Sequence, residues 1–122
     1  IDNYSFFNNH KLEILNLSYN NLKYFTGEIY GNNLAVNSFI NVILNNNNLI
    51  EMSLPFQISA NGVINLANNN LSEYPKILIK NNIIISVLNL NGNKIKVIDN
   101  SILYTMIILV DFKISNNLIS FI

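Results

Sequence analysis

Residues 12–22 read LEILNLSYNNL, and this stretch decides the fold of the chain. It fits the pattern L-x-x-L-x-L-x-x-N-x-L at every specified position. Apolar and polar residues alternate in its central part, as they do in a short strand with one buried face. We therefore predict that Leu15 and Leu17 point into a core, and that Ile14, Asn16 and Ser18 point away from it.

The pattern recurs four more times, always in register. The third copy departs from it at Asn61, where an apolar residue is expected, and this departure puts one core contact in doubt. The five repeat motifs occupy residues 12–22, 39–49, 61–71, 85–95 and 109–119. Three residues after each motif comes a further apolar side chain: Phe25, Met52, Tyr74, Ile98 and Ile122. This regularity predicts a chain built of similar, stacked units.

The motif resembles the signature of the leucine-rich repeat (LRR) family, whose units are about 20 to 29 residues long. The resemblance implies an α/β fold, a leucine-rich-repeat solenoid. A curved parallel β-sheet would form its concave side, and short helices, 3-10 turns or loops its convex side. One repeat can neither pair its strand nor bury its apolar face, so repeats must stack. We expect a repeat array across residues 1–122, as a segment of a longer repeat domain. Its parallel strands should be centred near Asn16, Ile43, Asn65, Asn89 and Lys113.

One Asn recurs at the same position of every motif: Asn20, Asn47, Asn69, Asn93 and Asn117. The chain leaves the predicted strand at this point, and buried backbone N–H and C=O groups there need partners. An amide side chain supplies donors and an acceptor together. As the resemblance implies, these five residues should form a ladder that bridges adjacent units. The neighbouring Asn68 should instead face solvent.

The segments that return from one motif to the next differ from one another. Residues 72–75, Ser-Glu-Tyr-Pro, resemble the family's step into a short convex-side helix or 3-10 turn, and proline suits a first helical position. Residues 99–101, Asp-Asn-Ser, offer caps for another short helix. The longest return, residues 23–38, contains two Gly among several Asn and is expected to bulge from the outline.

Composition narrows the range of partners. Seven Lys balance seven Asp and Glu. The Lys residues also form no clustered basic segment of the kind that binds nucleic acid. No apolar run approaches the roughly 18 to 20 residues that span a bilayer, which disfavours membrane insertion. The chain has no Cys, hence no disulfide and no thiolate metal site. We expect a cytoplasmic location, with a secreted or cell-surface one left open.

Side chains for catalysis are scarce. His10 is the sole histidine, and a surface role is favoured for it over a role as ligand or base. Without a second His or any Cys, zinc and nucleophilic sites have no ligands to build them. The acidic residues fall in different repeats, so no carboxylate pair is expected for acid and base catalysis. We predict no active site, no metal and no cofactor, and that the chain is not itself an enzyme.

The outward face of the predicted sheet corresponds to the usual binding surface of leucine-rich-repeat proteins. It is mostly uncharged amides with β-branched residues between them, and Tyr19 is its one aromatic side chain. Strand propensity explains the β-branched residues better than a binding patch does. The predicted face consists of Ile14, Asn16, Tyr19, Asn41, Ile43, Val63, Asn65, Val87, Asn89, Asp111 and Lys113.

Three functions fit such a surface. The first is a protein–protein interaction module that binds a partner protein through the concave face. The second is the substrate-recognition arm of a multidomain enzyme, a ubiquitin ligase or a receptor kinase, whose catalytic domain lies outside this chain. The third is a spacer with no specific partner.

Apolar residues at both ends of the array predict that the chain self-associates unless flanking repeats or caps cover those ends.

Overall fold

A computed structural model describes residues 5–6, 9, 12–26, 39–54, 58–77, 85–98 and 109–121. Within these ranges the chain forms strands, turns and bends, and no helix. The strands are β1 (Ile14–Asn16), β2 (Tyr24–Phe25), β3 (Phe39–Ile43), β4 (Glu51–Leu54), β5 (Ile58–Asn65), β6 (Lys76–Ile77), β7 (Ile85–Asn89) and β8 (Asp111–Lys113). The predictions for His10, for a bulge at residues 27–38 and for a helix at residues 99–101 lie outside the described residues.

Five strands, one from each motif, form a single sheet in the order β1-β3-β5-β7-β8. Every pair in it is parallel, so the predicted sheet of five parallel strands is confirmed. The register aligns equivalent positions of successive motifs. One such row contains the five residues near which the strands were predicted to be centred: Asn16, Ile43, Asn65, Asn89 and Lys113.

A β-bulge keeps this register although the repeats differ in length. Phe39 pairs with Ile58 and Asn41 with Val63, so β5 contains extra residues between these two pairings. The departure from the motif at Asn61 falls in this bulged part of β5. A bulge absorbs extra residues without changing which face the later side chains occupy. The inward-facing positions that follow it in β3 and β5 are therefore still aligned.

The return segments form a second parallel sheet, in the order β2-β4-β6. The predicted short helix after Pro75 is therefore wrong, because Lys76 and Ile77 form β6 and pair with Ser53 and Leu54 of β4. An open strand edge offers backbone groups that a parallel neighbour can pair with. The β-branched Ile77 also suits an extended conformation. Tertiary pairing at this point prevails over the local helix-start signal of the proline.

The core lies between the two sheets and runs along the whole stack. Both sheets contribute to one hydrophobic cluster, with Leu15 from β1 and with Phe25 and Met52 from β2 and β4. The burial of one such side chain contributes about 1.5 to 3 kcal/mol. In the three inner motifs the apolar positions are 0 to 1% exposed: Val42, Leu44, Leu49, Ile64, Leu66, Leu71, Leu88, Leu90 and Ile95. Their counterparts Leu17 and Ile114, in the first and last motifs, are only half-buried.

One residue in each motif has a left-handed backbone, directly before the recurring Asn. Its φ lies between 54° and 66° in all five motifs: Tyr19, Asn46, Asn68, Gly92 and Asn116. The N–H of such a residue donates to a carbonyl of the next motif, as when the Tyr19 N–H donates to the Asn45 carbonyl oxygen at 3.0 Å. Gly and Asn tolerate a left-handed backbone, whereas a bulky residue is strained in it. Tyr19 is the one residue of this column that is neither.

Replacing Tyr19 with glycine is expected to raise the free energy of unfolding by about 0.5 to 1 kcal/mol, because it relieves the left-handed strain. Little packing is lost, since the side chain is 79% exposed. Urea denaturation measures the change. Tyr24→Gly is the matched control, because Tyr24 is also exposed but lies in a strand, where glycine lowers stability. If both variants lost stability, the strain at Tyr19 would be refuted.

Candidate functional site

The recurring Asn side chains lie where the strands of the first sheet end. Asn69 is 6% exposed, and its amide nitrogen Nδ2 donates to the Leu44 carbonyl of the preceding motif at 3.0 Å and to the Leu66 carbonyl of its own at 3.0 Å. Its Oδ1 accepts a hydrogen bond from the Leu49 N–H at 2.9 Å. One side chain therefore satisfies backbone groups of two adjacent motifs.

The same arrangement recurs at three further positions. Asn47 donates to the carbonyls of Leu17 and Leu44, at 2.9 and 3.1 Å. Asn93 donates to Leu66 and Leu90 at 2.9 and 3.0 Å, and Asn117 donates to Leu90 and Ile114 at 2.9 and 3.0 Å. Their Oδ1 atoms accept from the N–H groups of Leu22, Leu71 and Ile95. Each shared leucine carbonyl thus accepts from two Asn side chains, which links the motifs by a continuous chain of hydrogen bonds.

Asn20 differs from the other four. It is exposed, and its Nδ2 donates to the carbonyls of Leu17 and Ser18 within its own motif. Among the described residues no motif precedes it. Its amide therefore begins the chain of hydrogen bonds instead of bridging two motifs.

Ten of the eleven residues predicted for the outward face come together on the side of the sheet opposite the core. They form two rows that cross all five strands. The first row is Ile14, Asn41, Val63, Val87 and Asp111, and the second is Asn16, Ile43, Asn65, Asn89 and Lys113. All ten are exposed or half-buried, whereas the residues between the rows in β1, β3, β5 and β7 are buried. Tyr19, the eleventh, lies in the turn beyond β1 and not on the sheet.

The Asn side chains of the second row accept hydrogen bonds from the backbone just beyond their strands. The Oδ1 atoms of Asn16, Asn65 and Asn89 accept from the N–H groups two residues later, at 3.1, 3.2 and 3.1 Å. Such local bonds are typical of Asn where the chain leaves regular structure. With its oxygen held in this way, the side chain offers a ligand mainly its amide N–H groups. Asn16 and Asn89 are the main donors of this row, because the Asn65 Nδ2 donates to the Asn45 Oδ1 at 3.4 Å and Lys113 pairs with Asp111.

The last strand carries the charges of this face. Lys113 Nζ and Asp111 Oδ2 form an ion pair at 3.0 Å, with both side chains about half exposed. An exposed pair of this kind contributes at most about 1 kcal/mol. Because Lys113 occupies the Asn position of the second row, the Ser115 N–H two residues later bonds instead to the Asn91 side chain, at 2.8 Å. The outward face is thus neutral, and its ionic groups are confined to one edge.

Asn41 is anomalous in the first row. Its Oδ1 is buried and has no hydrogen-bond partner, and in the row it lies between Ile14 and Val63. An unpaired buried polar atom costs about 1 to 3 kcal/mol. It is the least satisfied polar group among the described residues of this surface.

Asn41→Val should therefore raise the free energy of unfolding by about 1 kcal/mol, because it removes the unpaired oxygen and places a β-branched residue in a strand. Asn65→Val is the control, since it breaks the bond to the Ala67 N–H and should be neutral or destabilising. Thermal or urea unfolding compares the two. A loss of stability in Asn41→Val would mean that its amide is satisfied in solution.

A cavity of about 250 Å³ lies on the return side of the molecule. Its lining consists of Ile50, Glu51, Met52, Leu71, Ser72, Glu73 and Tyr74. The Tyr74 ring stacks on Phe112 with 6.4 Å between ring centroids. Its hydroxyl is buried without a partner, and burial raises the pKa of Tyr74 to about 12.

The raised pKa of Tyr74 predicts a loss of stability at alkaline pH. In the unfolded chain this tyrosine releases its proton near pH 10, whereas the folded chain keeps it until about pH 12. Its contribution is therefore fully present below about pH 10 and is lost as the pH rises toward 12. Tyr74→Phe should leave stability at neutral pH unchanged or slightly higher and reduce the alkaline loss. Urea denaturation near pH 9 and pH 11.5 measures this; equal alkaline losses in both proteins would contradict it.

Groups of side chains that could hold a metal ion are a further kind of candidate site. No group of three His, Asp or Glu side chains among them is close enough to hold a metal ion. In the same ranges there is no helix with the length and apolar character needed to cross a bilayer. The outward face of the five-stranded sheet is therefore the most extensive candidate site that the described chain presents.

Some features of this site were not predicted from the sequence. The left-handed backbone before each recurring Asn is one of them, although Gly92 among Asn46, Asn68 and Asn116 signals a positive φ. Two further features depend on side-chain contacts that the motif does not encode. They are the hydrogen bonds from the backbone to the Asn side chains of the second row, and the unpaired oxygen of Asn41. The ligand of the face must be inferred from its own chemistry, because no family model, no curated protein and no solved structure matches this chain.

Proposed function

We propose that this chain is a leucine-rich-repeat solenoid that binds another protein through the outward face of its five-stranded sheet. The observation that carries the proposal is the alignment of ten outward residues in two unbroken rows across all five strands. The Asn side chains that join successive motifs support the repeat assignment, because they explain why one polar residue is buried in each inner motif.

The chemistry of the face favours an uncharged polypeptide segment as its ligand. The amide N–H groups of Asn16 and Asn89 can donate to backbone carbonyls of such a segment. Val63, Val87 and Ile43 supply half-buried apolar surface next to them. The single ion pair at Asp111 and Lys113 satisfies its own charges, so it gives a highly charged partner little to bind. Specificity would then come from the spacing of donors and apolar side chains along the rows.

Site-specific photocrosslinking tests the proposal. A photoreactive amino acid at Val87, in the outward row of the fourth motif, should form adducts with a partner protein in the host cell. The same amino acid at Lys96 is the matched control, because Lys96 is exposed on the return side just after the same motif. Adducts at Val87 and none at Lys96 would support the proposal.

The other outcomes count against it. Adducts at Lys96 alone, or equally at both positions, would place binding away from the outward face. A face without adducts in any growth condition would favour the spacer function. Identification of the adduct also addresses the remaining alternative, since a substrate of a ubiquitin ligase or of a receptor kinase would point to a recognition arm.

A further inference from the structure

The ladder of backbone hydrogen bonds on the return side is broken at the third motif. Elsewhere the residue just after a motif joins its neighbour, since the Ile50 N–H donates to the Lys23 carbonyl at 3.0 Å and the Ser120 N–H donates to the Lys96 carbonyl at 3.0 Å. Ser72 occupies the same position after the third motif, but within the described chain no hydrogen bond joins its N–H to the Ile50 carbonyl. The second and third motifs are therefore not joined at this point.

One extra residue in the third return segment accounts for the break. Tyr24 pairs with Glu51, and each is the second residue after the end of its motif. Ser53 pairs with Lys76, although Ser53 is the fourth residue after its motif and Lys76 is the fifth. The fourth residue after the third motif is Pro75, which has no N–H to donate to a ladder. Pairing with β4 therefore resumes only at β6.

The cavity of about 250 Å³ is lined by the two segments that fail to pair, residues 50–52 and 71–74. Met52 and Leu71 are each 1% exposed and make part of the lining apolar. Glu51 and Glu73 give it two acidic residues, and the lining includes no basic one. The cavity therefore combines apolar surface with negative charge.

Two oxygen atoms of lining residues lack a hydrogen-bond donor. The Ile50 carbonyl does not receive the Ser72 N–H. The hydroxyl of Tyr74 is buried and makes no hydrogen bond. Buried polar groups are nearly always paired in folded proteins, so an unpaired one calls for an explanation such as a bound ion. A ligand with several N–H donors would supply what these oxygen atoms lack.

We propose that this cavity binds the primary ammonium group of a small aliphatic amine. An ammonium group has three N–H donors and a positive charge, which match the carbonyl and hydroxyl oxygens and the two carboxylates. The aliphatic stem packs against Met52 and Leu71, as the stem of a lysine side chain packs against apolar surface. The volume is below the roughly 300 to 1,000 Å³ of pockets for drug-sized ligands, so the cavity takes one short chain. It shares no residue with the outward face, and the proposal therefore goes beyond protein binding.

Other classes of ligand fit this cavity less well. The carboxylates of Glu51 and Glu73 repel an anion. Among the described residues no group of three His, Asp or Glu side chains could hold a metal ion, so an organic cation fits better than a divalent metal. A neutral alcohol would fill the apolar part and leave the carboxylates without a positive partner.

A titration followed by NMR tests the proposal. The chain has two methionines, so ¹³C labelling of their methyl groups gives a Met52 signal, which Met52→Leu assigns by its loss. n-Butylammonium chloride at neutral pH should shift this signal saturably. 1-Butanol has the same stem without the charge and should bind about tenfold more weakly. Added sodium chloride should weaken the binding of n-butylammonium.

Two variants locate the ligand. Glu73→Gln should weaken the binding of n-butylammonium about fivefold, and Tyr74→Phe about threefold. Glu13→Gln is the matched control, because it removes the same charge from an exposed residue just ahead of β1 and should leave the affinity unchanged. Methyl spectra recorded without ligand show that each variant is folded.

Four results would overturn the proposal. The absence of a saturable shift would mean that the cavity does not bind the amine, and an equal affinity for 1-butanol would mean that it is merely apolar. Unchanged affinity in both Glu73→Gln and Tyr74→Phe would place the ligand elsewhere. Displacement of n-butylammonium by an equal concentration of calcium chloride would identify a metal site instead.

Discussion

Asn69→Leu is expected to lower the free energy of unfolding by about 3 kcal/mol. The main cause is the Leu49 N–H, whose described acceptor is the Asn69 side chain. An unpaired buried group of this kind costs about 1 to 3 kcal/mol, and the lost bonds to Leu44 and Leu66 add to it. Those two carbonyls each keep a second Asn donor, Asn47 and Asn93, so they are not left unpaired.

The control for this variant is the adjacent residue. Asn68 is exposed, as predicted, but its φ of 56° means that most replacements would strain the backbone. Asn68→Gly keeps the left-handed turn and loses only an exposed bond to the Asn46 side chain, so it should change stability by less than about 0.5 kcal/mol. Urea denaturation of both variants gives the comparison. Equal losses at the two positions would show that the repeat register is misassigned.

The second large effect is expected at the centre of the core. Leu66 is 0% exposed, and Leu66→Ala should cost about 2 to 5 kcal/mol, because it removes apolar contacts and leaves a cavity between neighbouring motifs. Leu17 occupies the same motif position but is only half-buried at the end of the stack. Leu17→Ala should therefore cost about half as much.

Urea denaturation measured at equal protein concentration compares the two leucine variants. The slope of the free energy against urea should be unchanged, so that the difference in midpoint reports stability alone. Protein concentration is kept low enough that the chain is monomeric, so that contact with a second copy does not add to the burial of Leu17. Equal losses of stability for Leu66→Ala and Leu17→Ala in monomeric protein would contradict the lower burial of the core in the first motif.

The sequence predicted those parts of the fold in which burial and hydrogen bonding demand particular residue types. Leu44 and Leu66 could be assigned to the inner face because one face of a strand must be apolar to be buried. The register of all five strands then followed, since the same motif position recurs in each. The outward rows were predictable for the same reason, as the complement of the buried positions.

The return segments were less predictable, because their local signals are weak. At Pro75 the proline indicated a helix start, but the segment that follows pairs with the edge of β4 and forms β6. Pairing with a strand from another part of the chain cannot be inferred from a short local sequence. The strain at Tyr19 was also hidden, because a tyrosine gives no sign of a left-handed backbone. Only alignment with Gly92 and its Asn counterparts reveals it.

Amide hydrogen exchange measured by NMR most directly tests the claim that buried Asn side chains join successive motifs. The N–H groups of Leu22, Leu49, Leu71 and Ile95 each donate to such a side chain, at 2.9 to 3.1 Å. All four should exchange slowly, and Asn69→Leu should speed exchange most at Leu49. Rapid exchange at all four amides in the unmodified chain, or unchanged protection of Leu49 in the variant, would contradict this account.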